Sequence, residues 1–131
     1  MARILLTEDD EAVRSFVKRA LELDGHSVDA AEDGGEAVEI LTQEKGGYDL
    51  LLSDIKMPVM DGIALALRTA RDYPKLPILL MTGFADQRER ASGLDSLVHD
   101  VITKPFSLAD IRKAARDAIA GELPQEARRY G

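Results

Sequence analysis

Residues 50–62 read LLLSDIKMPVMDG. Leu50-Leu51-Leu52 is a short continuous apolar run, the pattern of a strand buried on both faces, and it stops abruptly at Ser53-Asp54. Pro58 and Asp61-Gly62 supply a turn, and Asp61 can cap a helix carried by Leu65, Ala66 and Ala70 to about Tyr73. The segment is one strand-then-helix unit with a carboxylate at its junction.

The same unit recurs on either side. Ile4-Leu5-Leu6 precedes a helical face of Val13, Phe16, Val17, Ala20 and Leu21, which Gly25 closes. Ser27–Ala31 is a weaker strand, followed by Asp33 as N-cap, Glu36 three residues on, and Ala37, Val38 and Leu41 up to Gly46-Gly47. Ile78–Thr82 and Val98–Thr103 read as the fourth and fifth strands, and Ser107-Leu108-Ala109-Asp110 opens a last helix with Ile111, Ala114, Ala115, Ala118 and Ile119. Residues 85–97, ADQRERASGLDSL, suit the helix expected there poorly, with few apolar positions and an internal Gly93. Five such units predict an α/β fold, a parallel sheet covered on both faces, whose strand carboxyl ends share one edge where ligands bind. Glu8-Asp9-Asp10, Asp54, Thr82 and Lys104-Pro105 all fall at that edge.

Composition narrows the function. One domain is expected from 131 residues, large enough to bury roughly two thirds of its unfolded surface. With 5% aromatics and no Trp the core is aliphatic, and the absence of Cys excludes disulfides and thiolate chemistry. A net charge of −7 argues against nucleic acid and anionic lipid as partners. No apolar run approaches the roughly 20 residues of a membrane span, and no signal peptide is evident, so a cytoplasmic location is expected. Residues 121–131 read as a polar, disordered tail after a domain spanning 1–120. His26 and His99 are isolated, with no second ligand at metal spacing.

Singly, these polar residues have ordinary explanations: Asp54 as a turn former, Glu8-Asp9-Asp10 as helix-dipole complementation, Thr82 as a β-former. Four polar positions on four strands at one edge are harder to attribute to capping. Carboxylates brought that close repel unless a cation sits among them, and Mg²⁺ is the natural candidate, a hard ion needing few carboxylates. Held ionised, Asp54 could attack a phosphoryl group to form an acyl phosphate, while Lys104 and the Thr82 hydroxyl meet its oxygens.

ILLTEDDEAVR, LLLSDIKMPVMDG, PILLMTG and VITKPF, in that order and over nearly the whole chain, resemble the receiver domains of bacterial two-component response regulators. The resemblance implies a doubly wound, CheY-like sheet of strand order 2-1-3-4-5, with Asp54 as phosphoryl acceptor and Thr82 and Lys104 as switch hydroxyl and phosphate-binding lysine. Spacing to Arg14 aligns Glu8 and Asp9 with the acidic pair of that family. It implies Mg²⁺ held by Asp9, Asp54 and the Lys56 carbonyl, with Glu8 acting through water, and a cis Lys104–Pro105 bond. The implied partners are a histidine kinase or a histidine phosphotransfer protein, and no activity is expected beyond the domain's own phosphotransfer and dephosphorylation. A monomer or weak homodimer is expected.

Three positions depart from the receiver pattern or stand out beside its site. Val101 replaces the usual aromatic three residues before the lysine, so no ring can swing to report the switch. Phe84 either packs under the fourth helix or shields an acyl phosphate from water, and the Lys56 side chain either covers the phosphoryl group or is solvated. MTGFA together with SDIKMPVMDG, and no output domain, resembles more narrowly the single-domain receivers of alphaproteobacteria that work with the ClpXP protease, ClpX being the unfoldase. Another single-domain receiver, shuttling phosphate or binding a different target, shares all this chemistry. A haloacid-dehalogenase-like phosphatase would need an Asp where Lys56 stands. A flavodoxin-like module would not place acids in its first loop, a nucleotide hydrolase would need GxxxxGK[ST], and a DNA-binding regulator would need a further domain after Ala120.

Overall fold

The structure, a computed structural model, describes residues 1–83, 91–94 and 96–121. Five strands, β1 (Arg3–Thr7), β2 (Ser27–Ala31), β3 (Leu50–Asp54), β4 (Ile78–Thr82) and β5 (Asp100–Thr103), pair in parallel in the order 2-1-3-4-5. The four described helices are α1 (Glu11–Leu23), α2 (Gly34–Gln43), α3 (Gly62–Asp72) and α4 (Leu108–Ala120). The α/β architecture and strand order are those expected.

Alternation along the strands divides the interior into two layers. Ile4, Leu6, Leu50, Leu52, Leu79 and Met81 pack with Val17, Ala20 and Leu21 of α1 and Ile111, Ala115 and Ala118 of α4. Leu5, Leu51, Ile78 and Leu80 face the other way, onto Ala37 and Leu41 of α2 and Leu65 and Ala66 of α3. All five residues of β3 are buried, so the central strand is inaccessible from either face and only its carboxyl end opens toward ligands. Asp24, the α1 C-cap, locks the first layer by accepting from Arg112 of α4 and, at 3.2 Å, from Arg116.

The helix starts follow their caps. Asp10 accepts from the Val13 amide at 3.1 Å, Asp33 from Glu36 at 2.8 Å, Asp61 from Ala64 at 2.9 Å, and Ser107 makes a reciprocal capping box with Asp110. Asp10 therefore belongs to the helix end. One boundary differs from expectation: β5 starts at Asp100 rather than Val98. The Val98 amide bonds back to the Leu94 carbonyl at 2.9 Å, finishing a 3₁₀ turn (Ser92–Leu94), and its side chain enters the core before the chain joins the sheet. Most of the poorly helical stretch 85–97 and the tail after Gly121 lie outside the described residues.

Candidate functional site

Asp54 is the last residue of β3 and is 6% exposed. The backbone of Asp54 and Ile55 is held at three points. The Ser53 hydroxyl donates to the Asp54 carbonyl at 2.9 Å, the Ile55 amide donates to Met81 of β4 at 3.1 Å, and the Gly62 amide donates to Ile55 at 2.7 Å. The start of α3 presses so closely on this strand end that a Cβ at Gly62 would lie 2.1 Å from the Asp54 carbonyl oxygen. Glycine is required there for the approach, and that approach fixes where Asp54 points.

Glu8 leaves β1 beside it. Its amide donates to Ala31 of β2 at 3.1 Å and its side chain is fully buried. Lys104, just beyond β5, reaches across with Nζ 2.8 Å from one Glu8 oxygen and 3.3 Å from an Asp54 oxygen. The second Glu8 oxygen accepts from the Asp10 amide at 3.2 Å. Asp9 is exposed, yet a carboxylate oxygen from each of Glu8, Asp9 and Asp54 can be chosen so that all lie within 4.8 Å of one another. Three carboxylates against one ammonium leave two formal negative charges, which a divalent cation would balance with the oxygen ligands it prefers.

The titration of Glu8 carries the same message. Burial, with the Asp54 charge added, pushes its carboxyl up to about 7, against the lowering effects of the Lys104 hydrogen bond and the Asp10 amide. Burial also opposes the Lys104 charge, but its bonds to Glu8 and the Asp54 charge outweigh that and raise its pKa. Because Glu8 holds its proton more tightly folded than unfolded, its contribution to stability is complete below about pH 4.5 and is lost as pH rises through about 7. The loss is on the order of 3 kcal/mol. In a chelator the melting temperature is expected to fall over that window, and Glu8→Gln to flatten the fall. A wild-type melting temperature that stays level from pH 5 to 7.5 would show that Glu8 is not strained by its surroundings.

The remaining expected positions are placed as follows. Thr82 ends β4, fully buried, and its carbonyl accepts from the Lys104 amide at 2.7 Å. Val101 lies opposite Leu80 in the β4–β5 register, half-buried against the layer under α2 and α3, on the side of the sheet shared with Thr82. The Lys104–Pro105 peptide is cis, as expected. Lys56 is exposed in the loop after β3, and Phe84 lies outside the described residues. That loop also holds Val59 at φ 68, 85% exposed, a backbone conformation unfavourable to a β-branched residue. Among the described residues no helix is long and apolar enough to cross a membrane.

The strand ends thus bring three carboxylates and one ammonium together at one edge of the sheet. Residues 4–116 match the response regulator receiver domain. Over 125 residues the chain is 34% identical to the response regulator MprA of Mycobacterium bovis and of Mycobacterium tuberculosis. That alignment covers 95% of this chain and 54% of MprA, so the chain spans about half the length of the curated relatives it matches. Among solved structures, a receiver domain protein from Clostridium thermocellum superposes with a TM-score of 0.84 at 25% identity, over 92% of this chain and 96% of that one. The response regulator TrrA from Thermotoga maritima, solved in complex with Mg(2+)-BeF, gives 0.80 at 26% identity, over 90% and 99%. The chain belongs to the response regulator receiver domain family.

Proposed function

We propose that Asp54 is the phosphoryl acceptor of this receiver domain and that the acidic cluster holds Mg²⁺ through Asp9, Asp54 and the Lys56 carbonyl, with Glu8 joining through water. The observation that carries this reading is the meeting of three carboxylates and one ammonium at the mouth of the sheet, with Asp54 at its centre. The likeness to TrrA, which was solved with Mg(2+)-BeF, supports the choice of ion.

In the proposed reaction an Asp54 carboxylate oxygen attacks the phosphorus of a phosphohistidine on a kinase or phosphotransfer protein. The P–N bond breaks, its electron pair returns to the imidazole, and an acyl phosphate forms on Asp54. Lys104, already 3.3 Å from Asp54, meets one phosphoryl oxygen and the Thr82 hydroxyl donates to another. A divalent cation supplies, when bound, the remaining positive charge against the phosphoryl oxygens. The domain has no other chemistry in this reading. The added charge on Asp54 redirects the hydrogen bonds of Thr82 and Lys104, and that redirection alters which partners bind.

The assignment of the acidic pair has a direct test. Asp9→Asn is expected to weaken Mg²⁺ binding at least tenfold, whereas Asp10→Asn, whose amide oxygen can still cap α1, is expected to change it less than threefold. Equal losses of affinity would mean that the pair is assigned one residue out.

For the output, the SDIKMPVMDG and MTGFA stretches support a CpdR-like reading, a cytoplasmic single-domain regulator whose unphosphorylated form promotes ClpXP proteolysis. A phosphorelay shuttle is the alternative. Co-precipitation of wild type and Asp54→Ala separates them. Enrichment of ClpX by the variant supports the first, and recovery of a kinase or phosphotransfer protein alone supports the second.

A further inference from the structure

Arg14 lies in the first turns of α1, outside the cluster of acids, and its side chain is only 17% exposed. Its Nη1 donates to the Glu8 carbonyl at 2.9 Å and, over a longer 3.4 Å, to the Asp9 carbonyl. Its Nη2 lies 3.9 Å from a Glu32 oxygen, just past β2. The Glu8 amide is separately pinned to Ala31 of β2. The backbone of the acidic turn is thus held by its amide from one side and by two successive carbonyls from the other. Asp10 completes the arrangement, its amide on a Glu8 carboxylate oxygen and its side chain on the α1 cap.

This pattern has a physical consequence. The Glu8 and Asp9 carboxylates repel Asp54, and the turn that carries them would relieve the repulsion by rotating outward. Occupying both carbonyls from behind removes that escape, because rotation would strip hydrogen bonds from a charged donor in a poorly exposed place. The planar fork sets Nη1 between the two adjacent carbonyls while Nη2 faces Glu32, an orientation that the single ammonium of a lysine does not fix.

We infer that Arg14 is a positioning residue for the cation site: by clamping the carbonyls of Glu8 and Asp9 it keeps their carboxylates converged on Asp54. The inference rests on the metal reading proposed above, and charge separates it from a plain electrostatic role. Removing a cation so near the site would, by Coulomb attraction alone, tighten metal binding. Loss of the clamp must weaken it.

The experiment is Mn²⁺ binding to the purified chain, followed by electron paramagnetic resonance without phosphodonor, for wild type, Arg14→Gln, Arg14→Lys, Glu32→Gln and Asp9→Asn. Arg14→Gln is expected to lose on the order of ten- to hundredfold in affinity. Arg14→Lys, which keeps the charge but not the fork, should lose severalfold, and Glu32→Gln, which spares both carbonyl bonds, less than twofold. Saturating Mg²⁺ should restore the phosphorylation rate of Arg14→Gln, because its defect lies in holding the ion. Unchanged or tighter Mn²⁺ binding in Arg14→Gln, with Asp9→Asn impaired, would overturn the inference and leave the metal reading intact. Should Arg14→Gln not fold, Arg14→Lys decides in the same way, wild-type affinity counting against the clamp. If Asp9→Asn also binds normally, the metal reading itself fails, and the inference fails with it.

Discussion

Asp54→Ala is expected to reduce labelling by a small phosphodonor such as acetyl phosphate in Mg²⁺ to background, while the protein stays folded. Both halves follow from the geometry. Lys104 and the acidic pair converge on Asp54, so without its carboxylate no nucleophile stands at that point. The fold is not expected to depend on it, since Asp54 adds a charge that works against Glu8, and the bond from Lys104 to Glu8, 2.8 Å in the wild type, does not involve Asp54. Removing the repulsion should also bring the Glu8 carboxyl down and soften the decline of stability with pH. Mg²⁺-dependent labelling of the variant at wild-type levels would remove Asp54 from the mechanism.

Gly62→Ala is the second change with a large expected effect. Its Cβ would sit 2.1 Å from the Asp54 carbonyl oxygen and 2.9 Å from Ile55 Cα, both backbone atoms that cannot swing aside. Overpacking of this kind costs about 3 kcal/mol, or a melting temperature lower by roughly 10 °C. The better helix propensity of alanine offsets no more than about 1 kcal/mol. Because the clash falls on the backbone of Asp54, the surviving folded protein should be phosphorylated more slowly even at saturating metal. Gly93→Ala is the control, as nothing among the described residues lies within 4 Å of a Cβ there. Equal melting temperatures for the two variants would show that α3 does not press on β3 as described.

Most of the fold was legible because β1, β3 and β4 carry continuous apolar runs and each described helix opens on a capping side chain. The α2 start is representative: Asp33 and Glu36 announce it in sequence, and Asp33 accepts from the Glu36 amide in space. The start of β5 was less legible because Val98 is apolar for a reason unconnected with the sheet. It fills the core as the end of a turn. The meeting of Glu8, Asp54 and Lys104 followed from strand ends sharing one edge. The difference between the two acids did not, since adjacent carboxylates look alike in sequence, whereas Glu8 is buried on Lys104 and Asp9 faces solvent. Arg14 was visible only as a spacing marker, because its bonds go to backbone carbonyls that no side-chain pattern encodes. Val59 likewise gives no sign of its positive φ, which glycine or asparagine would have signalled.

The central claim is that phosphate resides on Asp54, and trapping it in place is the most direct test. The protein is phosphorylated in Mg²⁺ and treated at once with borohydride, which reduces an aspartyl phosphate to homoserine, and the product is mapped by peptide mass spectrometry. The expected result is homoserine at residue 54, dependent on phosphodonor and on Mg²⁺, with Asp9 and Asp61 unmodified. Homoserine at another position, or an acid-stable phosphate on Ser53 or Thr82, would contradict the account.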